Sequence, residues 1–205
     1  MMQWSLWLAS WLLLALSMIR PLYPFEQSLQ HAPTVVALLL MGVAIRRKWL
    51  SNASFACLIA FWLLHIVGAR YIYSLVPYHD WLSWLTGGRL GQQDGWTRNN
   101  YDRLVHFSFG LLWSFPAAES AVRWGGLRRV WAALFALCWV LAAGSLYEVA
   151  EWLLAVFMSP QQAEAYNGQQ GDLWDAQKDM ALQFLGSLMV LPFVGRGQPI
   201  HEEGA

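Results

Sequence analysis

The chain has 205 residues, of which 57% are hydrophobic and 13% charged. Mean hydropathy is +0.35, whereas soluble domains carry about 25% charge. Thirteen basic and thirteen acidic residues cancel, so no net field recruits nucleic acid. These values exclude a DNA binder, a disordered tail, a secreted disulfide scaffold and an ordinary cytosolic enzyme. They leave an all-α, multi-pass membrane protein built as a transmembrane helix bundle. Cys57 and Cys138 lie inside apolar runs without CxxC spacing, and both read as buried small hydrophobes.

Six segments are candidates for crossing a bilayer. Residues 4–19 and 33–45 are short against the roughly 20 residues a span needs; they either cross fully or form a hairpin of partial spans. The first has no basic n-region before it and reads as an uncleaved span rather than a signal peptide. Residues 53–73, 100–122, 130–158 and 173–194 supply the other four. Arg46, Arg47, Lys48, Arg123, Arg128, Arg129 and Arg196 flank alternate turns, so the positive-inside rule assigns those turns and both termini to the cytoplasm. Residues 1–195 then form one transmembrane domain, and residues 196–205 a short cytoplasmic tail. Loop 75–100 is too apolar for a free loop, with Trp81, Trp84, Gly87, Gly88, Gly91 and Gly95. It predicts a short amphipathic helix on the outer surface. Trp4, Trp7, Trp11, Trp49, Trp81, Trp84, Trp96, Trp124 and Trp131 sit near span ends, as an interfacial belt does. His31 and His79 read as loop residues.

Charge at the outer face breaks the rule and locates the chemistry. Asp102 and His106 stand at i and i+4 on one helix face. Glu148 and Glu151 stand at i and i+3, after Tyr147. Asp172, Asp175 and Asp179 follow at i, i+3 and i+7. His65 and Tyr71 fall at a similar depth in the third segment. An ionised carboxylate in a bilayer costs about 2.5–3.5 kcal/mol on insertion scales, so these groups require cations, a metal or water. The economical arrangement is one shared polar cavity at the outer leaflet.

Two readings of that cavity stay open. In one, Asp102, His106, Glu148, Glu151, Asp175 and Asp179 ligate a divalent metal, since oxygen donors with imidazole suit Mg²⁺, Mn²⁺, Zn²⁺ or Fe²⁺. The ion would activate water on a lipid-borne ester or phosphate, with Asp102, His106, Glu148 and Asp179 as the catalytic set. In the other, Arg98, Arg103, Arg70 and Lys178 neutralise the acids in a structural or proton-handling lattice. Arg98, Arg103, His65, Tyr71, Tyr147, Trp174 and Lys178 are the charge-pairing or substrate-binding candidates. Asp172 reads first as a helix cap, as do Asn99 and Asn100, and Glu119 as a surface partner of Arg123. No nucleophile with an adjacent base lies in these motifs, and no HExxH, CxxC or phosphate-binding glycine loop occurs.

Three linked motifs carry a resemblance: Arg98-Asn99-Asn100-Tyr101-Asp102-Arg103 with His106-Phe107, Tyr147-Glu148 with Glu151-Trp152, and Gly171-Asp172-x-Trp174-Asp175-x-Gln177-Lys178-Asp179-Met180. Through them the chain resembles the YjdF-like family of bacterial inner-membrane proteins over nearly its whole length. The resemblance implies an integral inner-membrane protein and brings no assigned reaction. A weaker likeness is to VanZ-like membrane proteins, which share an Asp, a basic residue and His-Phe at Asp102-Arg103 and His106-Phe107. Asp179 stands where that pattern has Asn, and Glu151 where it has Gln, which makes this site more acidic and favours a cation. The sequence thus allows a metal-assisted enzyme acting on a lipid or envelope precursor, or a non-catalytic transporter or envelope-integrity protein.

Overall fold

The computed structural model describes residues 1–89 and 98–194. Those residues form eight helices and no strand: α1 (Met2–Ser17), α2 (Pro24–Arg47), α3 (Asn52–Arg70), α4 (Tyr78–Thr86), α5 (Tyr101–Arg123), α6 (Arg129–Phe157), α7 (Pro160–Asn167) and α8 (Asp175–Val190). By length and composition α2, α3 and α6 qualify to cross a membrane. Helix α5 is long enough at 23 residues, but Asp102, Arg103, His106 and Glu119 break its apolar run. Helices α1 and α8 are shorter, at 16 residues each.

The outer surface is that of a bundle solvated by lipid. Leu8, Leu12 and Leu16 line an exposed stripe on α1, and Val36, Leu39, Leu40 and Val43 one on α2. Val130, Leu134, Leu146, Val149, Leu153 and Val156 do the same on α6. Apolar belts of this extent mark membrane or partner contact. Inside, one cluster gathers Phe55, Leu58, Phe61, Trp62 and Ile66 of α3 with Leu38 of α2 and Val105 of α5. A second joins Ala117, Ala118 and Ala121 of α5 to Ala132 and Ala136 of α6 and Val190 of α8.

Small residues bring α5 and α8 together. A Cβ on Gly110 would strike the Gln183 carbonyl, and one on Gly186 would strike that of Phe107. Between them the Ser114 and Ser187 hydroxyls meet at 2.7 Å, both fully buried. In lipid, helices associate through such close backbone approach and interhelical hydrogen bonds, not through the hydrophobic effect. This contact carries the acidic motifs of both helices to one place.

Several expectations are corrected. The second segment runs over Pro24–Arg47 rather than residues 33–45, with Pro24 opening the helix and Pro33 inside it. Proline is favoured in a first turn. In an interior it removes one backbone donor, which membrane bundles tolerate where neighbours re-satisfy the backbone. His31 is therefore buried in α2, not in a loop, bonded to Ser17 Oγ at 3.0 Å. His79 lies in α4, against the Tyr78 ring. The connection between the fifth and sixth segments contains α7, started by a capping box of Ser159 and Gln162 and closed at Gly168 in a left-handed turn. Cys138 is exposed on α6 and Cys57 half-buried, both free; the buried reading of Cys138 fails because α6 turns that face outward. The amphipathic helix of loop 75–100 occurs as α4. Gly91, Asp94, Gly95, Trp96, Arg196 and the 196–205 tail lie outside the described residues.

Candidate functional site

The first two turns of α5 face the start of α8, and Arg103 is the centre of that junction. Its guanidinium meets Asp175 Oδ1 at 2.6 Å, Asp179 Oδ1 at 2.6 Å and Asp172 Oδ2 at 3.0 Å, and also donates to the Asp175 carbonyl at 3.0 Å. Arg98 adds a contact of 2.7 Å to Asp175 and one of 3.7 Å to Asp102. A planar guanidinium with five donors suits such multiple engagement. Among the described residues Lys178 reaches only Asp172, at 2.6 and 2.9 Å. Asp172 also accepts from the Trp174 amide at 3.0 Å; it closes a turn ahead of α8, whose N-cap position is Trp174. The Lys178 hydrogen bond, then that amide, hold the Asp172 carboxyl below its ordinary range.

One turn deeper an imidazole takes the place of the guanidinium groups. His106 Nε2 faces Asp102 Oδ1 at 3.3 Å, and its Nδ1 lies 3.7 Å from Glu148 Oε1. Gln183, one turn past Asp179 on α8, holds His106 Nδ1 at 2.6 Å. Gly144 makes room for the Gln183 amide, which a Cβ there would overlap. Asp102, His106 and Asp179 each offer a ligand atom within 4.8 Å of the others. Glu148 Oε1 is buried and accepts no hydrogen bond among the described residues. Glu151 is adjacent, one turn along α6 from Tyr147 and in reach of its hydroxyl.

This polar group forms one end of a cavity of about 270 Å³. Asp102, His106, Tyr147, Gln183, His65 and Tyr73 line that end; Phe61, Trp62, Phe109, Trp113 and Trp139 wall the remainder. His65 Nε2 lies 2.9 Å from the Gln30 carbonyl, so that nitrogen carries the proton and the Tyr73 hydroxyl donates to Nδ1. Gln30 in turn donates to the Tyr166 carbonyl at 2.9 Å, tying α2 to α7.

The sequence candidates thus separate. Asp102, His106, Glu148, Asp175, Asp179, Arg98 and Arg103 converge, and Tyr147 and His65 line the cavity. Tyr71 packs on Trp81 instead, Trp174 is 64% exposed, and Arg70 donates to the Arg20 carbonyl and pairs with no acid among the described residues. Glu119 is no surface residue: 1% exposed, it accepts from the Ser51 amide and hydroxyl at 2.7 Å each and from Arg123 at 2.9 Å. Residue reasoning missed Tyr73, Gln183 and the aromatic wall. Gln183 had a signal, since Asp175, Asp179 and Gln183 recur every fourth residue.

Fold and site together define a helical membrane protein with a buried acidic cluster facing an aromatic cavity. The family described as "Predicted membrane protein (DUF2238)" matches residues 2–197, and the chain belongs to it. It is similar to the inner membrane protein YjdF of Escherichia coli (strain K12), 32% identical over 169 residues, covering 82% of this chain and 77% of that protein. No solved structure matches it.

Proposed function

We propose that this is a bacterial inner-membrane protein that binds a divalent cation at Asp102, His106 and Asp179 and uses it on a lipid or envelope precursor. The observation that carries the reading is the clustering of those three donors beside Glu148, whose buried oxygen accepts no hydrogen bond. Charge balance points the same way. Five carboxylates (Asp102, Glu148, Glu151, Asp175 and Asp179) gather around two guanidinium groups and one imidazole, and surplus buried negative charge calls for a cation or protons. A hard divalent ion takes oxygen and imidazole ligands. Such an ion, held by Asp102, His106 and Asp179, would supply Lewis-acid chemistry toward the substrate's ester or phosphate; Glu148 would take the proton of the attacking water and return it to the leaving oxygen. Gln183 holds the His106 ring in place, as outer-shell partners of metal ligands do.

A second reading has its own observation. Arg103 bridges three aspartates, the geometry of a structural or proton-handling lattice in a transporter or envelope-integrity protein. Elemental analysis of purified protein, wild type beside Asp102→Asn/Glu148→Gln, separates the two. One divalent ion per chain, lost in the double variant, is expected. A folded wild type that takes up none after exposure to Mg²⁺, Mn²⁺ and Zn²⁺ leaves only the lattice.

A further inference from the structure

The cavity is longer than its acidic end, and its walls say what fills the rest. At about 270 Å³ it sits just below the range of about 300–1,000 Å³ typical of small-molecule sites. That is room for one chain, not for a two-chain lipid. Phe61, Phe109, Trp113 and Trp139 give the inner part no hydrogen-bonding group except the indole edges, and no Lys or Arg lines it.

The way in is set by helix packing. Helix α2 packs on α1, α3 and α7, and α6 packs on α5, α8 and α7. The two helices thus flank the cavity with α7 as their common neighbour at one end. Pro33 is the only α2 residue that lines the cavity, and it is itself exposed. On α6 the half-buried Ala143 lines the same cavity. Both helices present bare leucine and valine stripes beside these positions, the faces that lipid covers. An exposed cavity-lining proline on a helix with such a stripe gives the cavity a side that faces lipid.

We infer that the cavity holds the single hydrocarbon chain of an amphiphile that enters sideways from the bilayer between Pro33 of α2 and Ala143 of α6, its head group stopping at Asp102 and His106. The chain site and its mouth stand on the cavity alone; only the reaction at the head rests on the proposed function.

The test uses the full protein in nanodiscs of phosphatidylethanolamine and phosphatidylglycerol, with hexadecanol carrying a diazirine in its chain as the probe. A neutral head makes capture independent of any metal. After illumination, label is expected on Phe109, Trp113 and Trp139. Ala143→Trp and, independently, Pro33→Trp narrow the mouth and lower that labelling about tenfold, as overpacking of a filled site does. Val149→Trp, on the outward face of α6, leaves it unchanged. Label confined to outward positions such as Leu146 and Val149 overturns the inference, as does cavity labelling indifferent to both lip variants. Cavity labelling in protein that binds no metal keeps this inference and removes the proposed function. Stoichiometric metal with an unlabelled cavity does the opposite.

Discussion

Arg103 shows how much one side chain holds at this depth. Its guanidinium contacts Asp172, Asp175 and Asp179 together, and the latter two are 5% and 2% exposed. Removing the cation leaves buried carboxylates uncompensated, which costs about 3–5 kcal/mol when a buried pair is broken. Arg103→Met is therefore expected to lower the melting temperature in detergent sharply. Arg103→Lys is expected to fall between, since an ammonium is a point charge without the fork that spans several acids. Equal melting of Arg103→Met and wild type would show that the acids are neutral without it. Asp172 is the outermost of the three and retains Lys178, so Asp172→Asn is the mild member of the series. At this scale the sequence was informative wherever charge stood at helix spacing. Asp102 and His106 at i and i+4 do meet, and Arg103 does find the aspartates of α8. It was uninformative for Trp113, Trp139 and Phe109, because an aromatic residue in an apolar run carries the same signal whether it fills a core or walls a cavity.

At the level of elements, the site depends on how closely α5 and α8 approach. Gly110 is in contact with the α8 backbone at Gln183 and Ser187, so an added methyl has no flexible side chain to displace. Gly110→Ala is expected to cost about 1–3 kcal/mol through overpacking. It should also lower metal content, because the shift moves Asp179 away from Asp102 and His106. Gly144→Ala is the contrasting case: the three atoms nearest its Cβ all belong to the Gln183 side chain, which can turn aside. That variant should retain the fold and weaken metal binding through the lost hold on His106 Nδ1. A Gly110→Ala protein with unchanged melting and metal content would break the link between this contact and the site. Small-residue spacing is visible in the sequence, as Gly110-x-x-x-Ser114, but its partner helix is not, since glycines give no periodic signal of their own. Helix α2 was shortened for a related reason: Pro33 resembles a helix start as closely as a tolerated interior proline. Helix α7 is legible in Ser159-Pro160-x-Gln162, a capping-box signal.

For the whole molecule, the arrangement of charge makes one global claim that the helices alone do not decide. The turns after α2 and between α5 and α6 carry Arg46, Arg47, Lys48, Arg123, Arg128 and Arg129, whereas α4, α7 and the acidic cluster lie at the opposite ends of the same helices. The positive-inside bias is set by Lys and Arg in short loops; applied here, it predicts the cluster outward and both termini inward. The Glu119 network keeps the two basic turns together: it ties Ser51, at the start of α3, to Arg123 and through it to the Lys48 carbonyl, joining both turns on one side. In a variant with Cys57 and Cys138 replaced by alanine, Gln161→Cys on α7 is expected to react with a membrane-impermeant maleimide applied to intact spheroplasts. Leu127→Cys, in the α5–α6 turn, should react only after the membrane is opened. The reverse pattern would turn the protein over and put the acidic cavity on the cytoplasmic side. Labelling of both positions from outside would mean that α6 does not cross, although it is the longest and most apolar of the qualifying helices. Orientation thus decides which leaflet supplies any amphiphile to the mouth between α2 and α6, and so which half of the envelope the substrate is drawn from.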